Sequence, residues 1–361
     1  MLEYIRLSSL RDGDVLGRAV YDAKGMVLAT QGMSMTTRVI EALKAQGFKG
    51  VYIDRKSTEA RDAVHIQEPI IDDYTTIKVV NIITHILNNK RIFSNAWDSN
   101  FTADRKLIED YIDEFYTEFS KRNISDELLF EMEDGRTNAN WLEFHSFNTM
   151  QIAVAMALRL NYPAAVAKEI GIGALMHDIG KAKFPELINK KNLSEAEKET
   201  MRTHPRVIFD VLTQLSGSYS STHCTYACWQ SHEVFDGSGY PMHIGGQKVT
   251  PFGYIVGIAS RFDNLVHITP FNEAPMSNND ALEMIMGSNK YPVDITKALT
   301  EVVAAFPIGV KVMLSNNETA IVLKNTVSYP LRPEILVGYH RINLARDDNY
   351  RNVTITRTIE D

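Results

Sequence analysis

The chain of 361 residues contains only two cysteines, Cys224 and Cys228. Their i, i+4 spacing on a predicted helix is poor geometry for a direct disulfide and is typical of small buried thiols. The chain also lacks the second cysteine pair that a cysteine-based zinc site would need. The sequence therefore predicts a fold stabilised by its apolar core in a reducing compartment, and we expect the protein to be cytoplasmic.

Long apolar runs and an excess of positive charge are missing as well. No apolar stretch is long enough to span a bilayer, and the first residues, MLEYIRLSSLRDGD, lack a basic region followed by an apolar signal core. The 38 lysines and arginines are outnumbered by 45 aspartates and glutamates, which gives a net charge of -7. This balance argues against polymeric nucleic acid as a partner, although one dinucleotide needs only a few local cations.

The most informative stretch that is present is ALMHDIGK, residues 174–181. As a helix, it places Ala174 and His177 on one apolar stripe, so the histidine extends from a core-facing surface. Asp178 follows directly, and Lys181 adds a positive charge one turn after the histidine. A neutral imidazole beside a carboxylate can bind a divalent cation, and the carboxylate can bridge two ions.

Three further histidines are expected on separate helices or turns, from which each could reach the same centre: His145, His204 and His232. Ser194 followed by Glu197 is a capping box, and it predicts the start of the helix that leads to His204. The proline after His204 permits a new helix, so this histidine is expected at a helix junction. Four dispersed histidines around one aspartate are typical of a metal site.

Four motifs follow one another along the chain: HSFNT around His145, HDIGK at 177–181, a Leu-Ser-x-x-Glu run before His204, and DGSGYP at 236–241. The two glycines and the proline of the last motif favour an irregular loop. With these motifs the chain resembles the HD-GYP domains of the HD phosphohydrolase superfamily, which are bacterial cyclic di-GMP phosphodiesterases involved in signalling. The resemblance extends over nearly the whole chain.

The resemblance implies both a cofactor and a substrate. The cofactor is a divalent metal, iron or manganese, bound as one or two ions by ligands from His145, His177, Asp178, His204 and His232. The substrate is cyclic di-GMP or a related dinucleotide. Catalytic roles fall to Asp178 and Lys181, and substrate contacts to Lys181, Gly239, Tyr240 and Pro241.

The predicted fold is mainly α, with an HD-type helical bundle core between a small α+β module and a small β appendix. The boundaries are residues 1–60 for the module, 61–137 for connecting helices, 138–306 for the HD-GYP-like core and 307–361 for the appendix.

In the module, residues 22–25 have hairpin chemistry and Gly47 is expected to end a helix. The module contains no phosphate loop or ligand cluster, which favours a docking or regulatory role toward protein partners. The connecting helices could pair two subunits in a homodimer.

Several ligand positions depart from the family pattern. Trp141 stands where family members have a glutamate, Ser231 where they have a histidine, and Ser260 where they have the last metal aspartate. Asp263 could reach the metal through water, and Arg261 could replace some of the lost positive charge. Five ligands remain against a family set of seven, and they can hold one ion well or two ions weakly with extra waters.

Two functions of different classes therefore remain open. The first is a phosphodiesterase, in which the ions lower the pKa of a nucleophilic water and Lys181 stabilises the developing phosphate charge. It would hydrolyse cyclic di-GMP to a linear dinucleotide or GMP, with turnover that is intact or impaired. The second is a degenerate HD-GYP protein that signals by binding a nucleotide or protein partners. The stretch HITPFNE, residues 267–273, favours it because the expected phosphate-contacting basic residues are absent there. A nucleotidase acting on another phosphate ester is a third hypothesis.

Overall fold

The computed structural model describes residues 2–7, 10–21, 27–45, 48, 50–54, 73–88, 93, 99–121, 140–214, 221–272 and 274–359. The chain divides into two compact units, of which the first comprises residues 1–69, 125–140 and 304–361 and the second residues 70–124 and 141–303. The predicted hairpin turn at 22–25 and the helix end at Gly47 lie outside the described residues. The domain boundaries predicted from the sequence stay a prediction.

Short antiparallel strand pairs and one helix form the N-terminal part of the first unit. Strand β1 (Leu2–Arg6) pairs with β4 (Gly50–Asp54), strand β2 (Val20–Tyr21) pairs with β3 (Val27–Ala29), and helix α1 is Thr37–Ala45. Leu16, Met35 and Ile53 are fully buried in its core, and Ile40 and Leu43 contribute the apolar side of α1. The predicted α+β character of this part is confirmed.

A five-stranded sheet forms the C-terminal part of the first unit. Its strands are β5 (Lys311–Leu314), β6 (Thr319–Lys324), β7 (Glu334–Val337), β8 (His340–Asn343) and β9 (Ile355–Thr358). They are antiparallel in the order β8-β7-β6-β5-β9. Val312 and Leu314 are buried and Lys311 is exposed, which is the alternation expected for a sheet with one face in the core.

The second unit is helical. Its helices are α2 (Asp73–Asn88), α3 (Ser99–Lys121), α4 (Trp141–Arg159), α5 (Ala164–Met176), α6 (Pro185–Ile188), α7 (Glu195–Met201), α8 (His204–Gln214), α9 (Thr222–Trp229), α10 (Pro251–Val266), α11 (Asn278–Gly287) and α12 (Val293–Thr300). Helix α4 contacts α3, α5 and α10, and it is buried along most of its length. The predicted helical core is confirmed.

Helix α5 carries the HDIGK motif to the centre of this unit. It packs so closely on α9 that a Cβ at Gly173 would lie 2.6 Å from the Ala227 Cβ. The helix ends at Met176, and His177 is its C-cap with φ -56 and ψ -34. A 3-10 segment, Ile179–Lys183, follows. The histidine and aspartate of the motif therefore lie at the fixed end of a buried helix.

The junction between α7 and α8 is formed as the sequence predicts. Ser194 Oγ accepts a hydrogen bond from the Glu197 backbone N–H at 3.3 Å, and the Glu197 carboxylate accepts one from the Ser194 N–H at 2.9 Å. Helix α8 then begins at His204. A Cβ at Gly180 would lie 2.2 Å from the His204 carbonyl oxygen, so glycine is required where the turn after Asp178 meets this junction.

Both cysteines are free and buried, as predicted. The Cys228 thiol donates a hydrogen bond to the Gly173 carbonyl oxygen at 3.2 Å, so it contributes to the packing of α5 on α9. Among the helices that the structure describes, none is both long and apolar enough to cross a membrane.

Gly180→Ala tests the close contact between the HDIGK turn and α8. We expect the added Cβ to force the backbone of one segment away from the other and to lower the free energy of unfolding by about 1–3 kcal/mol. Urea unfolding measures this loss. Gly287→Ala is the matched control, because a Cβ there meets nothing within 4 Å and alanine favours helix at the end of α11. Equal stability of the Gly180 variant and the parent would contradict the contact.

Candidate metal centre

The Asp178 carboxylate lies at the centre of a buried cluster of four imidazoles. Its Oδ1 is 3.0 Å from His204 Nε2, 3.4 Å from His232 Nε2 and 3.5 Å from His177 Nε2, and its Oδ2 is 3.4 Å from His145 Nε2. Burial alone would raise the pKa of Asp178, but the surrounding imidazoles and Lys181 hold it well below the usual range. The carboxylate is therefore an anion at neutral pH, and it is surrounded by nitrogen atoms.

Three of these rings share one hydrogen-bonding feature: the other nitrogen, Nδ1, contacts an acceptor oxygen. The pairs are His145 with Asp263 Oδ2 at 2.6 Å, His177 with the Ala174 carbonyl at 2.6 Å, and His204 with the Met201 carbonyl at 2.7 Å. An acceptor at Nδ1 places the proton there and leaves the lone pair on Nε2. Such outer hydrogen bonds fix the tautomer and orientation of metal-binding histidines.

Burial keeps the imidazoles of His177, His204 and His232 in the neutral form that binds metals. It lowers the pKa of His177 to about 3, the pKa of His232 to about 4, and the pKa of His204 below its usual value. His177 Nε2 is buried and has no hydrogen-bond partner among the residues that the structure describes. A buried lone pair without a donor is costly, and a cation bound beside Asp178 would satisfy it.

The cluster divides into two groups of possible ligands that share the aspartate. One group is His145, His177 and Asp178, and the other is Asp178, His204 and His232. Within each group the ligand atoms lie within 4.8 Å of one another. Imidazole nitrogens and a carboxylate oxygen suit divalent transition metals. The structure therefore brings together all five predicted ligands in an arrangement that could hold a divalent ion.

Lys181 and Trp141 lie beside Asp178. The Lys181 ammonium donates to Asp178 Oδ2 at 2.5 Å and lies 5.6 Å from the centre of the Trp141 ring. The Trp141 indole is buried, and its Nε1 donates to Asn189 Oδ1 at 2.9 Å. The Trp141 ring thus faces the Lys181 ammonium, and such a cation–π contact is favourable.

The DGSGYP loop is fixed against the same cluster. The Tyr240 ring stacks on the His232 ring with centroids 4.8 Å apart, and it is followed by Pro241. A Cβ at Gly239 would lie 2.4 Å from the His232 carbonyl oxygen, so this position requires close backbone approach. The buried Glu233 carboxylate accepts hydrogen bonds from the backbone N–H groups of residues 242 and 244 at 2.6 and 3.1 Å.

Glu233 and Asp263 form buried contacts at the cluster that the sequence does not predict. For Glu233 the only signal is its place directly after His232. From the sequence, Asp263 could reach the metal through water. In the structure its carboxylate lies on the Nδ1 side of His145 and also accepts a hydrogen bond from Asn148 at 3.1 Å. It is therefore placed to orient His145, one of the predicted ligands. The contact between Asp263 and His145 joins residues 118 positions apart, which no local pattern reveals.

The side chains of Ser231 and Ser260, which replace family ligands, point in different directions. Ser260 Oγ lies 3.2 Å from His145 Nε2, beside the atom that would bind a metal. Ser231 Oγ donates to the Cys228 carbonyl at 2.9 Å, so it is held by the end of the preceding helix, α9. Only the first serine therefore has its side chain directed at the cluster.

The chain is similar to known phosphodiesterases over part of their length. A cyclic di-GMP phosphodiesterase of Pseudomonas aeruginosa is 24% identical over 206 residues, which are 56% of this chain and 49% of that protein. A cyclic di-GMP phosphodiesterase of Thermotoga maritima is 28% identical over 241 residues, which are 62% of this chain and 61% of that protein. The chain thus spans less than two thirds of either relative.

Among solved structures, an HDG"Y"P protein from Bdellovibrio bacteriovorus is similar with a TM-score of 0.47 and 16% identity, covering 83% of this chain and 98% of that chain. Residues 105–295 match the family model described as the HD domain, and this match covers more than half of the chain. The matched segment contains Asp178 and the four histidines of the cluster, His145, His177, His204 and His232. The resemblance found in the sequence is confirmed at this level: the chain belongs to the HD domain family.

Proposed function

We propose that the protein is a metal-dependent phosphodiesterase that hydrolyses cyclic di-GMP. The observation that carries the proposal is the convergence of four imidazole Nε2 atoms on the Asp178 carboxylate, with three of the Nδ1 atoms held by acceptors. Similarity to two cyclic di-GMP phosphodiesterases supports the choice of substrate. The intact HDIGK and DGSGYP motifs support the choice of reaction.

The ligands proposed for the metal are His145, His177, Asp178, His204 and His232. Manganese or iron, as one or two ions, would polarise a phosphoryl oxygen and lower the pKa of a water nucleophile. The division of the ligands into two groups that share Asp178 supports two ions.

The remaining roles belong to the side chains of the chain itself. Lys181, a proposed catalytic residue together with Asp178, holds a positive charge beside the reacting phosphate and stabilises charge that develops there. Tyr240 forms a wall of the substrate pocket with Gly239 and Pro241, since its ring already covers His232. Asp263 keeps the Nε2 atom of His145 directed at Asp178.

A second candidate is a degenerate site that binds a nucleotide and signals without efficient turnover. Two observations favour it. Ser231 Oγ is hydrogen-bonded to the Cys228 carbonyl of α9 and is not directed at the cluster. Ser260 offers a hydroxyl where a carboxylate would bind a metal more strongly. Cytoplasmic location, a homodimer and docking of protein partners by the N-terminal module remain proposals under either candidate.

One experiment separates these candidates. The protein is purified aerobically and anaerobically, its metal content is quantified, and it is incubated with cyclic di-GMP and manganese or iron while linear product is followed by chromatography. Bound metal with product formation is the expected result. A folded protein that binds no ion and forms no product would overturn the proposal.

Asp178→Asn should abolish hydrolysis and reduce retained metal at least about tenfold, because an amide lacks the anionic oxygens that hold the ions. The helical fold should remain, as judged by circular dichroism. Asp210→Asn is the matched control, since Asp210 is an exposed partner of Arg206 on α8, and it should leave metal content and turnover unchanged. Parental metal content in the Asp178 variant would place the metal elsewhere.

Ser260→Asp should increase manganese affinity by about tenfold, because a carboxylate there would lie beside His145 Nε2 and add an anionic ligand. Without metal the same change should lower thermal stability, since a second buried carboxylate repels Asp178. Manganese titration and melting curves with and without EDTA measure both effects. Ser260→Asn is the control of similar size without charge. Unchanged affinity in the aspartate variant would show that position 260 does not reach the ion.

A further inference from the structure

A continuous path of ring contacts runs through the metal centre. Neighbouring ring centroids along it are 4.8 to 6.3 Å apart, in the order Trp141, His145, His177, His232 and Tyr240. A cation lies at each end of the path. The Lys181 ammonium is 5.6 Å from the Trp141 ring, and the Arg202 guanidinium carbon is 6.0 Å from the Tyr240 ring.

The position of Arg202 is fixed relative to the cluster by its own backbone. It is the C-cap of α7, and its N–H donates to the Lys198 carbonyl at 2.9 Å. The residue before it, Met201, accepts the hydrogen bond from His204 Nδ1. Arg202 therefore lies two residues before His204, a proposed metal ligand, in a backbone segment that is fixed by hydrogen bonds.

The guanidinium of Arg202 is available to an incoming anion. In the part of the chain that the structure describes, it forms an ion pair with Glu199, three residues earlier, and the side chains are 48% and 66% exposed. Exposed ion pairs of this kind are weak, so exchanging the carboxylate for a phosphate costs little. A guanidinium binds phosphate through two parallel hydrogen bonds and is well suited to such an exchange.

Tyr240 contacts both this cation and the metal centre. Its ring centroid is 4.8 Å from that of His232 and 6.1 Å from that of His204, and the Arg202 guanidinium carbon is 6.0 Å from its centre. The side chain that covers His232 therefore also contacts Arg202.

We propose that Arg202 binds the second phosphate of a cyclic dinucleotide while the first phosphate occupies the metal centre beside Lys181. The inference rests on the proposed function and names its substrate class, a phosphodiester that carries a second anionic phosphate. It also accounts for the stretch at 267–273, HITPFNE, which contains no lysine or arginine: the cation is supplied by the α7–α8 junction. Arg202 is a substrate-binding residue in this account, and it takes no part in bond cleavage.

Arg202→Gln tests the proposal, with Arg206→Gln as matched control. Arg206 is an exposed arginine on α8 that pairs with Asp210 and lies over Phe209, so its loss changes the net charge equally without touching Tyr240. Steady-state kinetics with manganese are measured on cyclic di-GMP and on bis(p-nitrophenyl) phosphate, which has a single phosphate. Equilibrium binding of cyclic di-GMP to EDTA-treated protein provides a reading that does not depend on turnover.

For Arg202→Gln we expect kcat/KM for cyclic di-GMP, relative to bis(p-nitrophenyl) phosphate, to fall about tenfold or more, the effect of losing one charged hydrogen-bond pair. The loss should appear in KM because the contact is present in substrate and transition state alike. The dissociation constant for cyclic di-GMP should rise by a similar factor. Arg202→Lys should recover part of the loss, and Arg206→Gln should match the parent.

The outcomes separate the two proposals. If the parent hydrolyses cyclic di-GMP and Arg202→Gln matches it in KM and binding, the role of Arg202 is wrong while the proposed function stands. If the parent binds cyclic di-GMP without hydrolysing it, the phosphodiesterase proposal fails, and the binding comparison still decides on Arg202. A parent that neither binds nor hydrolyses cyclic di-GMP overturns both.

Discussion

The buried charge of Asp178 is the constraint on which the rest of the site depends. A carboxylate that is only 1% exposed is stable as an anion only if its surroundings replace the lost water. Here the Lys181 ammonium donates a hydrogen bond to it, and four imidazoles from α4, the end of α5, the start of α8 and the segment after α9 enclose it. Each delivering segment is fixed in turn by its own hydrogen bonds or close contacts.

Neutral imidazoles alone cannot fully compensate that charge, and this explains why the cluster suits a cation. Three Nδ1 atoms are held by acceptors, so the facing Nε2 atoms present lone pairs to a carboxylate that also offers lone pairs. Groups that only accept hydrogen bonds repel one another when nothing positive lies between them. A divalent ion removes this conflict, which makes the arrangement of protons around the cluster the physical basis of the proposed activity.

The local features of the fold could be predicted from the sequence, whereas the distant contacts could not. The capping box at Ser194 and the junction at His204 follow from rules that act within four residues, and the alternation in β5 follows from the strand period. The five candidate ligands could be named from motif order. The role of Asp263 toward His145 and the place of Arg202 over Tyr240 depend on how helices pack, and sequence spacing does not encode that directly.

The most direct test of the central claim is an anomalous diffraction experiment on crystals of the parent protein grown with manganese. We expect at least one strong manganese peak at bonding distance, about 2.2 Å, from an Asp178 oxygen and from the Nε2 atoms of two of the four histidines. Strong peaks confined to other parts of the molecule, with the imidazoles still in contact only with Asp178, would contradict it.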